Sequence, residues 1–192
     1  MHGRMIALLA LLLALPAGAA SLDVQVALAG GSPIQEAVVF AVPDTRVPVG
    51  HKVTQMDQKN RVFVPHILPI QTGTWVEFPN SDDIRHQVYS LSPAKKFQLP
   101  LYQGKPAFPL QFTQSGVVAL GCNIHESMSA YIVVVDTPYF AKTANGRASF
   151  ANLEPGRYTV KVWYPEMREE PKPQVLTLGA DDKLSLSFVT AK

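Results

Sequence analysis

Charge is scarce in this sequence. Only 17% of its 192 residues are charged, and 17 Lys and Arg nearly cancel 15 Asp and Glu. With a formal net charge of +2 and no Lys/Arg cluster, nothing here forms a footprint for nucleic acid. Long apolar runs are missing after the first 20 residues, so no later segment is expected to span a membrane. There is one cysteine, Cys122, which excludes an intrachain disulfide. A 47% share of apolar residues argues against a disordered chain, and 16 prolines with 12 glycines suit short strands and turns better than long helices.

The N-terminus is read apart from the fold. Arg4, the apolar run from Met5 to Leu15 and the small residues Ala17 to Ala20 form a secretory signal pattern. The run is short for a retained anchor. Residues 1–20 are therefore expected to be a signal peptide, with the mature chain starting near Ser21 in the periplasm or outside the cell. In that compartment a lone cysteine stands out. Three readings of Cys122 follow from the count: an inert buried thiol, an intermolecular disulfide, or a metal-bound thiolate.

Period-two patterning runs through most of the remaining chain. Leu22, Val24, Val26 and Leu28 alternate with Asp23, Gln25 and Ala27. Further strands are expected at 37–42, 53–56, 62–64, 75–78, 87–91, 110–112, 117–120 and 131–135. Asp57 to Asn60 reads as a polar turn, and 92–109 as a loop or a turn of helix. Asn145-Gly146 is a hairpin signal, Pro155-Gly156 a second turn, and strands follow at 158–163, 175–178 and 184–188. The fold class expected is all-β, built as β-sandwiches.

The segment with chemistry is Gly121-Cys122-Asn123-Ile124-His125-Glu126-Ser127-Met128, between two expected strands. A thiol, an imidazole and a thioether share one short loop. Upstream, His86 follows the turn Asn80-Ser81-Asp82-Asp83. Two His, one Cys and a distant Met suit a trigonal copper site. Each residue also has a plainer role: Met128 as core filler, His125 as a satisfied polar residue, His86 as a loop histidine beside Asp82 and Asp83. Zinc ordinarily takes four strong N/S ligands, and a second cysteine is missing. A Cys–His nucleophile pair would need an orienting group and an oxyanion hole.

The order His, then Cys-x2-His-x2-Met, resembles the cupredoxins. The resemblance continues through Phe63-Val64-Pro65, Leu68-Pro69-Ile70, Gly73, Val76-Glu77-Phe78 and Asn80. Tyr89-Ser90, Gly116-Val117-Val118, Gly121 to His125 and Val135 to Phe140 look like the methylamine-utilisation (MauL-like) group of that family. The match covers about residues 50–140. It implies a Greek-key cupredoxin β-sandwich holding one type-1 copper. His86, Cys122 and His125 would be equatorial ligands and Met128 the axial one. Asn80, Gln87 and Asn123 would surround them. Cupredoxins often carry Asn where Gln87 stands and an aromatic residue where Gly121 stands, so the ligand surroundings here differ from that pattern.

The flanks carry a second resemblance. Gly31-Ser32-Pro33-Ile34, Ala37-Val38-Val39, Asn145-Gly146, Pro155-Gly156-Arg157-Tyr158 and Val162-Trp163 look like a carboxypeptidase-regulatory-like, or transthyretin-like, sandwich. The expected division is a signal peptide over 1–20, one half of this small sandwich over 21–46, a cupredoxin domain over 47–136, and the other half over 137–192. Extra strands on one larger barrel are the alternative.

The resemblance implies an exported carrier of single electrons, not an enzyme. It would meet redox protein partners through an apolar patch near His125. Five histidines, of which His2 leaves with the signal, are too few for a multicopper oxidase, and Ser21 is no N-terminal histidine ligand. A copper-delivery protein and a metal-free interaction module are the other readings. Met56, Met128 and Met167 are too scattered to favour delivery.

Overall fold

A computed structural model describes residues 20–106 and 108–190; the expected signal segment, Ala20 apart, lies outside the described residues. Among the described residues there are strands and no helix. In chain order they are β1 (Ala20–Leu28), β2 (Val38–Pro43), β3 (Val53–Gln55), β4 (Asp57–Lys59), β5 (Val62–Val64), β6 (Ile67–Gln71), β7 (Trp75–Glu77), β8 (His86–Ser90) and β9 (Phe97–Tyr102). Then come β10 (Leu110–Gln111), β11 (Gly116–Gly121), β12 (Ser129–Val135), β13 (Phe140–Lys142), β14 (Arg147–Leu153), β15 (Gly156–Trp163), β16 (Gln174–Leu178) and β17 (Lys183–Thr190).

The protein is an all-β chain of packed sheets. The middle of the sequence builds a five-stranded sheet, β6-β12-β11-β8-β9, a three-stranded sheet, β10-β7-β3, and the hairpin β4-β5. Val76, Phe78 and Phe112 meet Val88, Val118 and Ile132 in one core, each no more than 2% exposed. Burying each such side chain stabilises the fold by about 1.5–3 kcal/mol. The sequence ends build two other sheets, β14-β1-β17 and β13-β2-β15-β16, around a second core of Leu22, Val24, Val39, Tyr158 and Val160. Tyr158 closes its corner by donating from its hydroxyl to the Glu154 carbonyl at 2.8 Å.

β12 joins the two cores. Ala130, Ile132 and Val134 point into the inner one, while Val133 and Val135 pack with Val38, Ile67 and Trp163. A strand covered on both faces reads as a continuous apolar run, as 131–135 does.

Two local expectations change. Asp57–Lys59 is strand, not turn, because Gln58 is fully buried and its side-chain Nε2 donates to the Pro79 carbonyl and to the Tyr102 hydroxyl, at 3.2 and 2.5 Å. The turn is only Asn60-Arg61, with φ of 56° and 58°, the left-handed pair a two-residue hairpin requires. Within 92–109 lies β9, whose Pro100 is tolerated because β9 is an edge strand. β6 with Pro69 is the opposite edge of the same sheet. Asn145-Gly146 does turn the chain, with φ of 51° and 74°. Ala144 and Arg147 bridge antiparallel across it, and the strands that follow from this turn, β13 and β14, then run into different sheets.

Candidate metal centre

β11 and β12 pair antiparallel from Gly116↔Val134 to Gly121↔Ser129, so 122–128 is the loop that closes this hairpin. The Met128 amide donates to the His125 carbonyl at 2.9 Å, tightening the loop's return. On the other side of β11, Gly121 pairs with Tyr89 of β8, the strand that begins at His86. Two neighbouring strands therefore deliver His86 and the 122–128 loop to one end of the sheet.

Three side chains converge there. One ring nitrogen each from His86 and His125, and Sγ of Cys122, all lie within 4.8 Å of one another. The two imidazole centroids are 5.0 Å apart, with planes at 64°. His86 is wholly buried, Cys122 is a buried free thiol, and His125 is half-buried. Met128 is 1% exposed and belongs to the same buried cluster as Cys122.

The donors are left open in a specific way. Nδ1 of His86 and Nδ1 of His125 are both buried and have no hydrogen-bond partner. An unpaired buried polar atom costs about 1–3 kcal/mol. Two of them beside a buried thiol are a set that a soft cation would satisfy. The residues present thus fit a copper ion.

The loop before His86 is tightly held. Asn80 Nδ2 donates to the carbonyls of Ile84 and Tyr102 at 2.9 and 2.8 Å, and its Oδ1 accepts from the Asp82 amide at 3.1 Å. Tyr102 donates its hydroxyl to the Phe78 carbonyl at 2.6 Å, and burial pushes its phenol far above the usual range. Gln87 is buried beside His86, whereas Asn123 is exposed on the loop.

Asp82 is the residue that sequence reasoning missed. Its Oδ2 lies 2.8 Å from Nε2 of His86. Burial alone would raise the Asp82 carboxyl, but hydrogen bonds from the Arg61 amide, the His86 ring and the Asn60 amide outweigh it and hold the group below the usual range. Four-residue spacing signals contact on a helix, not in a turn, so the sequence pairs Asp82 with His86 only as neighbours.

No family model matches the chain, and no curated protein matches it. Solved structures do. It is similar to the Cu-containing nitrite reductase NirK from Thermus scotoductus SA-01, at 26% identity over 47% of this chain and 25% of that one, with a TM-score of 0.41. The matched region is thus a quarter of that enzyme's length. It is similar to a purple cupredoxin from Nitrosopumilus maritimus, at 22% identity over 43% of this chain and 99% of that one, TM-score 0.38. A reduced amicyanin variant matches at 21% identity over 50% of this chain and 98% of that one, TM-score 0.40.

Proposed function

We propose that this protein is an exported type-1 copper protein that carries single electrons between redox partners. The observation that carries this reading is the convergence of Cys122 Sγ with one ring nitrogen each of His86 and His125, two histidines whose Nδ1 atoms are buried and unpartnered. His86, Cys122 and His125 would hold the metal, with Met128 offering a further, weaker sulfur donor. Copper in such a site supplies one-electron exchange between its two common oxidation states.

The chain's own residues divide the remaining work. His86, fully buried, keeps its side of the site dry. Cys122 is the only thiol and offers the one soft anionic donor. His125, half-buried, brings part of its ring to the surface, where a docked redox protein would meet it. Ile124, 49% exposed beside it, supplies apolar contact for that partner. Asn80 holds the 80–86 turn so that His86 enters β8 in a set direction.

The same reading includes the MauL-like subgroup, the periplasmic or secreted location, and a two-domain organisation. In it, residues 47–136 are the cupredoxin domain, and 21–46 with 137–192 form a transthyretin-like sandwich. One core built by the middle segment and one built by the flanks support that division.

The test is the absorption spectrum of the copper-loaded protein. An intense thiolate charge-transfer band is expected, and Cys122→Ser is expected to abolish it. A wild type that takes up only zinc, or no metal, overturns the reading. Rapid passage of Cu(I) to a chelating acceptor, with no reversible redox cycling, would point to copper delivery instead.

A further inference from the structure

Nε2 of His86 lies 2.8 Å from Oδ2 of Asp82, while Nδ1 is buried without a partner in a ring that has one nitrogen within 4.8 Å of the Cys122 and His125 donor atoms. The Asp82 carboxylate is gripped from elsewhere in the chain. The Asn60 amide donates to Oδ1 at 2.6 Å and the Arg61 amide to Oδ2 at 2.9 Å. Asn60 and Arg61 form the tip of the β4–β5 hairpin, both at left-handed φ. Such a turn aims successive N–H groups at one point, which makes a concavity for an anion.

The hairpin is anchored to the same turn it grips. The Ser81 hydroxyl donates to Asp57 Oδ2 at 2.8 Å, the Gln58 amide donates to the Pro79 carbonyl at 3.0 Å, and the Ser81 amide donates to the Gln58 carbonyl at 2.8 Å. The carboxylate therefore has a set place. Its side chain is only 11% exposed.

An ionised carboxylate can only accept hydrogen bonds, so the ring nitrogen facing it must carry the proton. The neutral imidazole then has its lone pair on Nδ1, the buried atom with no partner. We infer that Asp82, clamped by the Asn60 and Arg61 amides, is a positioning residue that locks His86 in the Nε2–H tautomer and aims its Nδ1 lone pair at Cys122 and His125. Its consequence for metal affinity rests on the copper reading above; the tautomer does not.

Nitrogen–proton correlation spectra of the metal-free full-length protein, at mildly alkaline pH, test this directly. The His86 proton is expected on Nε2 in the wild type and shared between both nitrogens in Asp82→Ala. Copper(I) affinity, measured by competition with a chelator, is expected to fall about 10–100-fold in Asp82→Ala. A wild-type proton on Nδ1, or an unchanged tautomer in Asp82→Ala, overturns the inference. Should that variant not fold, Asp82→Asn decides. Its amide oxygen keeps an acceptor but loses the charge, so the Nε2–H is expected to exchange with solvent roughly tenfold faster. Unchanged exchange overturns the inference. A wild type that binds no copper but keeps the Nε2–H tautomer sinks only the copper reading.

Discussion

Tyr89 lies across Gly121, the residue covalently joined to Cys122. A Cβ at position 121 would stand 2.8 Å from both Cζ and Oη of the Tyr89 ring. Gly121 is thus explained by a neighbour: the ring that covers this point comes from β8. Gly121→Ala must push that ring aside. We predict a loss of about 1–3 kcal/mol in chemical denaturation. In a Tyr89→Ala background the same change should cost at least about 0.5 kcal/mol less, a coupling that a double-mutant cycle reads directly.

Met128 fills core space whether or not it touches a metal. Met128→Leu conserves volume, so its stability cost is expected to stay below about 1.5 kcal/mol. If Met128 Sδ is a copper donor, the midpoint potential and absorption spectrum of the copper-loaded protein will still change. Unchanged values of both would leave Met128 as packing alone.

Trp163 ties the flanking sheets to β12, meeting Tyr131 with ring planes tilted by 58° and centroids 5.2 Å apart and packing with Val133 and Val135. Trp163→Ala is expected to destabilise the fold by about 3–5 kcal/mol. Urea unfolding followed by circular dichroism measures this. A cost under about 1 kcal/mol would mean that the contact between the two cores contributes little.

Stability at high pH should depend on Tyr158. Burial is the main cause that pushes its phenol from 10.0 up to about 12. The folded state keeps the proton that the unfolded chain loses near the ordinary value. The stabilisation is therefore complete below pH 10 and declines as pH rises toward 12. Tyr158→Phe removes this contribution and should give a shallower fall of stability over that window. An identical fall in both proteins would refute the assignment.

Local patterns in the sequence carried much of this. Alternation over 22–28 specified β1, because a strand with one buried face must repeat every two residues. Cys122, His125 and Met128 were legible as a set because one hairpin loop holds all three. Pro69 and Pro100 lie on edge strands that only the sheet order makes visible.

What tertiary structure decided lies between distant segments. The parallel pairing of β1 with β17, the placing of His86 against the Cys122 loop, and the grip of Asn60 and Arg61 on Asp82 all join residues with no covalent spacing to announce them. Periodicity reports which face of a strand is buried. It carries no information about the neighbour that covers that face, because side-chain packing and amide geometry select the partner only when the sheets assemble.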